Sequence, residues 1–86
     1  MKSLAASSFW KPYRALPDAV RREARGVFHM LCDPRLYFER VRSHRDSWSV
    51  RVTRDYRAVG RMDMEDDSIV WYWIGSHTQF DKKFPV

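Results

Sequence analysis

One histidine and a group of arginines in the second half of the chain are the residues best suited to chemistry. His77 follows the apolar stretch 69–74, and Arg51 and Arg57 lie in the two strand-like segments that precede it. An imidazole can donate or accept a proton near neutral pH, whereas a guanidinium holds the charge of a phosphate without titrating. A histidine beside two arginines therefore fits metal-free RNA cleavage, in which the 2′-hydroxyl attacks the adjacent phosphate and the leaving 5′-oxygen takes a proton.

Positive charge is concentrated in the same half of the chain. The formal net charge is +5, and seven arginines lie between residues 40 and 61 against only two carboxylates. A planar guanidinium matches phosphate oxygens better than an ammonium does, so this region predicts a nucleic-acid site. Two other interpretations stay open, a merely solvated surface and a surface for an acidic or apolar protein tail. The arginines considered for RNA contacts are Arg40, Arg42, Arg54 and Arg61.

The tryptophans have two interpretations. Unpaired bases stack on such rings, but most tryptophans of a small domain belong to its core. Side chains alternate between the two faces of a strand, so every second residue of 69–74 is expected to face the helices and the others the open side of the sheet. Either Trp71 and Trp73, or the residues between and beside them, would then remain for a ligand or a partner.

Length and composition predict one small domain, residues 1–86, without a cofactor or a metal. A chain of 86 residues has material for a single core. Its one cysteine, Cys32, cannot form an intramolecular disulfide, and no Cys or His spacing matches a metal site, so a reducing cytoplasm fits best. The start of the chain is too polar for a signal peptide, and the stretch 69–74 is too short to span a membrane.

Two helices are predicted in the first third of the chain. Phe9, Tyr13 and Leu16 repeat with helical period, with Ser7 or Ser8 as the N-cap, although Pro12 favours a start near Lys11 or an irregular first part. After the break at Leu16-Pro17-Asp18, a second apolar stripe of helical period has arginines on its outer face. This second helix should end near Cys32, before Asp33-Pro34. The stripe consists of Val20, Ala24, Val27, Phe28 and Leu31.

From Leu36 onward the apolar period changes to two, which is typical of strands. An edge segment containing Phe38 and Val41 is followed by a polar turn, a strand over 48–52, a tight turn at 54–55, a strand from Tyr56 to about Met62, and an acidic turn. The stretch 69–74 reads as a strand covered on both sides, followed by a loop and a short helical turn. The predicted fold class is therefore α+β, an N-terminal helical hairpin packed on an antiparallel sheet of three to four strands in two layers.

Several short motifs resemble one family of small proteins. Leu16-Pro17 lies between the helices, Tyr56-Arg57-Ala58-Val59-Gly60 forms the basic strand, and the last strand ends in Gly75-Ser76-His77. This order and spacing resemble the RelE/ParE superfamily of type II toxin–antitoxin toxins, and in particular its RelE-like branch, in which YRA(L/V)G precedes WxWIGxHxxYD. The resemblance spans the chain from about Phe9 to Phe84.

The resemblance implies a small ribonuclease that cuts mRNA in the ribosomal A site and is inhibited by an antitoxin from the same operon. Arg57 matches the arginine that holds the scissile phosphate, Arg51 a basic residue on the preceding strand, and His77 the proton donor. Ser49 stands in place of a lysine proposed as a base, and Phe80 stands in place of a tyrosine, which leaves a ring for base stacking. The first strand of the family is not evident in residues 1–8, which would leave a sheet edge missing or open to the antitoxin.

Three function classes remain at this point. The first is a metal-independent mRNA endoribonuclease whose partners are mRNA, the ribosome and a cognate antitoxin. The second is a ParE-like inhibitor of DNA gyrase that performs no chemistry, because a shared fold does not determine function. The third is a degenerate member that binds only its antitoxin and, through that complex, operator DNA. His77 beside Arg57 favours the first class, while Ser49 and Phe80 keep the third open.

Overall fold

In the part of the chain that the structure describes, three helices combine with one five-stranded sheet, which confirms the predicted α+β class. The computed structural model describes residues 2–29, 38–44, 46–63 and 65–85, with residues 28 and 29 described in their backbone only. In chain order the elements are β1 (Lys2–Ala5), α1 (Ser7–Arg14), α2 (Asp18–His29), β2 (Phe38–Arg40), β3 (Ser47–Thr53), β4 (Tyr56–Asp63), β5 (Ser68–Ser76) and α3 (His77–Lys83).

Helix α1 begins earlier than predicted and includes its proline. Its N-cap is Ala6, which makes no side-chain capping bond, so the expected cap by one of the serines is wrong. Instead, the Ser8 hydroxyl donates to the Tyr72 carbonyl at 3.1 Å. Pro12 lies inside the helix and removes one hydrogen bond. Burial of Phe9 and the bond from Ser8 hold the first turn on the sheet, which explains why the helix forms despite the proline.

Helix α2 follows the predicted apolar stripe. Val20 and Ala24 are buried and Val27 packs against the same core, while Arg22 and Arg25 are exposed. The predicted end of this helix near Cys32, and Leu31 with it, lie outside the described residues. In the described part of the chain, no helix combines the length and hydrophobicity needed to cross a membrane.

Within the described residues the sheet has five strands in the order β1-β5-β4-β3-β2, one more than the upper limit predicted. Strand β1 pairs in parallel with β5, with Leu4 opposite Val70, whereas the other pairs are antiparallel. The expectation that residues 1–8 hold no strand is therefore wrong. All four β1 residues are exposed, so the sequence shows no alternation of apolar and polar residues that would predict a strand. The strand is held by its backbone pairing with β5 and by the 2.8 Å hydrogen bond from Trp71 Nε1 to Ser3 Oγ.

A bulge in β5 divides its apolar residues between two cores. Val59 pairs with Trp73 but the next residue of β4, Gly60, pairs with Trp71, so the alternation of β5 shifts by one position. Trp71 and Ile74 consequently share one core, whereas Trp73 belongs to the other. The prediction that one alternating set of residues in 69–74 stays free for a ligand or a partner is wrong, because Trp71 and Trp73 of one set and Ile74 of the other are buried.

The sheet has a helix layer on one side and a single short helix on the other. Ala58 and Val59 are neighbours on β4 and so point to opposite faces, and they belong to different cores. The apolar face, which includes Val50, Ala58 and Trp71, is covered by α1 and α2. The opposite side is partly covered by Phe80 of α3 and by Phe84 just after it. The prediction of two layers therefore left out this partial third layer.

The side of the sheet beneath α3 is called the basic face. Direct cross-strand pairs share a face, and the pairs Ser49↔Val59 and Arg51↔Arg57 place two arginines on the same face as the second core. Arg61, two residues after Val59 on the same strand, lies on this face as well. The residues that define the basic face are thus Ser47, Ser49, Arg51, Arg57, Val59 and Arg61.

Candidate functional site

Strands β4 and β5 bring Arg57 and His77 to the same end of the basic face. Arg57 lies opposite Gly75, and the chain leaves β5 two residues later at His77, the first residue of α3. A Cβ at Gly75 would lie 2.5 Å from the Trp73 ring and 2.7 Å from Gln79 Oε1, so only glycine fits where the helix turns away from the strand. A capping box between Ser76 and Gln79 starts the helix.

The Arg57 side chain is held on several sides, and only 12% of it is exposed. Its Nη1 donates to the Ser49 hydroxyl at 3.2 Å and lies 3.7 Å from the Glu39 carboxylate. The guanidinium carbon lies 5.5 Å from the centre of the Phe80 ring. These neighbours fix the direction of the guanidinium before any ligand arrives, and the partly buried position strengthens its interaction with an anion.

His77 is exposed but oriented. Its backbone N–H donates to the Asp55 carbonyl at 2.7 Å, which ties the start of α3 to the β3–β4 turn. Its Nδ1 lies 3.1 Å from Asp81 Oδ2, one helical turn later, and 53% of the side chain is accessible to solvent. When Nδ1 donates to Asp81, Nε2 is left for a ligand.

A small cleft of about 160 Å³ connects these groups. It contains a fixed cation, an exposed imidazole and an aromatic ring, and Glu39 is the one carboxylate among the described residues that line it. This combination can hold a phosphate and exchange protons with the oxygens attached to it. The lining residues are Glu39, Arg40, Val41, Arg42, Ser49, Arg57, His77, Phe80 and Phe84.

The other predicted site residues lie at different distances from the cleft. Arg51 is directly across from Arg57 in the β3–β4 register and is exposed, but it does not line the cleft. Arg54 is exposed in the turn between those strands, and Arg42 borders the cleft from the segment after β2. Phe80, predicted as a stacking ring, is half-buried between Arg57 and the second core.

Arg40 and Arg61 are both held by aromatic rings. The Arg40 guanidinium lies 5.0 Å from the centre of Trp48, its cross-strand partner, even though the residue borders the cleft. Arg61 lies 3.3 Å from Asp46 and 5.0 Å from the centre of the Tyr72 ring. Four residues along β4 separate Arg61 from Arg57, or about 13 Å, so Arg61 does not belong to the cleft.

The sequence did not reveal the roles of three side chains that organise the cleft. Ser49 is buried and accepts the bond from Arg57, so it orients this arginine, a role different from that of the lysine it replaces. Glu39 is opposite Ser49 on the edge strand β2, where no sequence pattern distinguishes it from a solvated carboxylate. Asp81 could have been found, because it follows His77 by four positions in a predicted helical turn.

Acidic and histidine side chains are otherwise dispersed. Among the described residues, no three side chains of His, Cys, Asp or Glu are grouped so that they could hold a metal ion.

Several solved structures that share this fold are toxins or toxin–antitoxin complexes. The RelB–RelE antitoxin–toxin complex from Methanococcus jannaschii superposes with a TM-score of 0.76 at 15% identity, covering 95% of this chain and 99% of the other. For the RelBE2 toxin–antitoxin complex from Mycobacterium tuberculosis, the TM-score is 0.75 at 15% identity, with 88% and 96% covered. The isolated E. coli RelE toxin gives 0.67 at 19% identity, with 95% and 96% covered.

Comparison at the level of sequence gives a family assignment. No curated protein matches the chain significantly. The family model for the ParE-like toxin domain matches residues 18–82, which extend from α2 to the last turn of α3 and include Arg57 and His77. Together with the five-stranded fold, this match confirms the resemblance seen in the motifs. The chain belongs to the ParE-like toxin family, within the RelE/ParE superfamily.

Proposed function

We propose that this protein is the toxin of a toxin–antitoxin pair and cleaves mRNA at the ribosome, in the cytoplasm, without a metal ion. The observation that carries the proposal is the fixed, largely buried Arg57 beside the exposed imidazole of His77. A positive charge held in a partly desolvated place is suited to an anion that forms during a reaction. Inhibition of translation would follow from the loss of mRNA.

Substrate binding in this proposal begins with the phosphate. Arg57 binds the non-bridging oxygens of the scissile phosphate, with Ser49 and Glu39 holding the guanidinium in place. Arg51, directly across the strand pair, adds positive potential beside the cleft. Arg40, Arg42 and Arg54 extend this potential over the surrounding surface, and the Phe80 ring provides an apolar wall for a base.

The reaction is an internal transesterification. The 2′-oxygen attacks the phosphorus while its proton passes to the Glu39 carboxylate, which borders the cleft and is largely exposed. Charge on the phosphorane is stabilised by Arg57. The bond from phosphorus to the 5′-oxygen then breaks, and protonated His77 donates a proton to that oxygen. The products are a 2′,3′-cyclic phosphate and a 5′-hydroxyl.

A cognate antitoxin is the proposed protein partner. The relatives from Methanococcus jannaschii and Mycobacterium tuberculosis are described as complexes with an antitoxin. The arginine-rich surface of this chain supports such a partner, because its charge is complementary to an acidic segment. Operator DNA would be bound only through that complex. Co-purification of the chain with the product of a neighbouring reading frame tests the pairing, and a toxin that elutes alone as a stable, harmless protein would contradict it.

The match to the ParE-like toxin domain supports one alternative function, inhibition of DNA gyrase by binding without catalysis. Induced expression separates the two functions. A ribonuclease stops translation without first causing DNA damage, whereas a gyrase inhibitor produces the DNA damage response. A degenerate, antitoxin-binding member produces neither effect.

The chemistry is tested by His77→Gln, with Thr78→Gln as the matched control on the exposed surface of α3. Cellular mRNA is mapped for new 5′-ends after induction, and the end groups are identified. The His77 variant should bind RNA but lose most cleavage, by about 100-fold or more, because a positioned proton donor is absent. The control should cut normally, and 5′-hydroxyl ends should persist when EDTA is added under conditions that keep ribosomes intact.

Three results would each contradict this mechanism. They are undiminished cutting by the His77→Gln variant, products that bear 5′-phosphates, and loss of cutting when EDTA is added to intact ribosomes.

A further inference from the structure

A second, larger depression on the basic side of the molecule, called the groove, adjoins the cleft. Its volume is about 890 Å³, and Phe84 borders both the groove and the cleft. It forms where β1 ends at Ala5 and leaves the second half of β5 flanked by α1 on one side and by the end of α3 on the other. The lining residues are Ser7, Ser8, Lys11, Pro12, Ala15, His44, Arg61, Tyr72, Trp73, Lys83 and Phe84.

The charge of the groove has one sign. Lys11 on α1, Lys83 at the end of α3 and Arg61 on β4 come from three separate elements and meet around one opening. Among the described residues that line it there is no carboxylate. Asp46 lies 3.3 Å from Arg61 but outside the lining, and Arg61 remains 63% exposed. Cations gathered from distant parts of the chain create a local positive potential that attracts an anionic ligand.

The floor of the groove is aromatic. Tyr72, Trp73 and Phe84 form it, and the Tyr72 hydroxyl is fixed by the Ser47 hydroxyl at 2.7 Å. His44 is exposed, and its ring makes a T-shaped contact with Phe84 at a centroid distance of 4.9 Å. A positively charged rim over aromatic rings is the chemistry that binds single-stranded nucleic acid.

We propose that the groove binds the single-stranded RNA that flanks the scissile phosphate, an inference that rests on the proposed ribonuclease function. The substrate strand then extends from Arg57 in the cleft, past Phe84, to the cations of the groove. Lys11, Arg61 and Lys83 bind backbone phosphates, and His44 stacks on a base. Contacts in the groove do not take part in the chemistry in the cleft. They therefore raise the affinity for RNA and favour longer substrates over shorter ones.

The geometry favours RNA over a protein segment in this groove. Arg57 and Arg61 lie on one strand and one face, about 13 Å apart, which a few nucleotides can span. Phe84 lines both depressions, so the groove and the cleft are neighbours on the surface. An acidic antitoxin segment is negatively charged, as RNA is, and the experiment below distinguishes these two occupants of the groove.

The test uses uncleavable single-stranded RNA with 2′-O-methyl sugars, as a trinucleotide and as a nonanucleotide, with binding followed by fluorescence anisotropy. The wild-type protein should bind the longer RNA more tightly. The double variant Lys11→Ala/Lys83→Ala should bind the nonanucleotide about tenfold more weakly at low salt but the trinucleotide normally. Its salt dependence, the slope of log K against log salt, should fall by about 1.4, because each phosphate contact on a single strand contributes about 0.7.

The matched control is Arg22→Ala/Arg25→Ala, which removes the same charge from exposed positions of α2 on the opposite side of the sheet. It should leave the affinity for both RNAs close to that of the wild type. Equal weakening by the two double variants would show a general charge effect and overturn the proposal. Unchanged nonanucleotide affinity in the groove variant, together with weakened binding of the co-expressed antitoxin, would assign the groove to the antitoxin instead.

Failure of the groove and failure of the proposed function give different results. Arg57→Ala should weaken the binding of both RNAs, since it acts in the cleft. If both RNAs bind through Arg57 without any gain from length, only the groove proposal is overturned. If neither RNA binds, the groove proposal is again overturned, whereas the ribonuclease proposal is overturned only by the cleavage maps of induced cells described above.

Discussion

The two faces of the sheet are built from different residues and serve different purposes. On the apolar face, α1 and α2 cover a continuous core that includes Phe9, Leu16, Ile69 and Trp71. On the basic face, the core is reduced to Val41, Val59, Trp73 and Phe84, with arginines and serines on either side of it. Helix α3 covers the middle of this face and leaves a cleft at one end and a groove near the other.

The difference shows how a small domain separates stability from binding. Burial of apolar area is the main favourable contribution to folding, and most of that area lies on the apolar face. The smaller core beneath α3 fixes the positions of His77 and Phe80 while the charged side chains around it stay near solvent. Substitutions on the two faces should therefore affect different measurements.

The largest effect on stability is expected from Trp71→Ala. Trp71 is 1% exposed at the centre of the apolar core, and its indole N–H donates to Ser3. Truncation of a buried aromatic residue typically lowers the free energy of unfolding by 3–5 kcal/mol, which is a large share of the stability of a domain this size. Urea unfolding measures the change. The control Trp10→Ala, at a 41% exposed tryptophan, should cost much less, and equal losses would contradict the view of the apolar core.

Arg57→Ala should have the opposite signature, a loss of activity with little loss of stability. Removal of a preorganised charge-assisted contact to the transition state lowers the rate by about 100-fold or more. Growth after induction and RNA cleavage measure activity, while circular dichroism and urea unfolding report on the fold. Arg22→Ala serves as the control, and Arg57→Lys should recover only part of the activity, because an ammonium lacks the planar pair of donors. Full toxicity from a folded Arg57→Ala protein would remove this arginine from the mechanism.

Ser49→Ala should produce the smallest effect. The substitution removes the hydroxyl that accepts from Arg57 at 3.2 Å but keeps the charge and the fold of the strand. A hydrogen bond to a charged group is worth about 1.5–3 kcal/mol, and Glu39 still lies beside the guanidinium, so cleavage should fall by about tenfold, near the lower end of that range. Kinetics on one defined RNA measure this fall, and Ser49→Thr should restore the rate. If Ser49→Ala is as inactive as Arg57→Ala, the serine takes part in the chemistry itself.

The elements with strong periodicity could be predicted from the sequence. The stripe containing Val20 and Ala24 gave α2, and the alternation of Val50 and Val52 gave β3, because each pattern has only one way to bury its apolar side. The proximity of Arg57 to His77 could also be predicted from the sequence, because an antiparallel arrangement brings the start of β4 next to the end of β5. These are local patterns joined by short turns.

The remaining features depend on contacts that no local pattern encodes. Strand β1 is exposed along its length and exists because β5 offers it hydrogen-bonding groups. The bulge at Trp71–Trp73 could not be seen in a stretch that is apolar at both parities. The part played by Ser49 became visible only when packing had brought Arg57 against its hydroxyl.

The parallel pairing of β1 with β5 has a consequence for the order in which the chain folds. Lys2 pairs with Ser68, so most of the chain lies between the first strand and its partner. Closing so long a loop has an entropic cost, and domains rich in such distant contacts fold slowly. During synthesis the first strand has no partner until β5 has left the ribosome, and His77, which follows β5 directly, emerges later still. His77 and the two rings Phe80 and Phe84 therefore leave the ribosome after the cleft residues of β2, β3 and β4, and the cleft is assembled only once they have emerged.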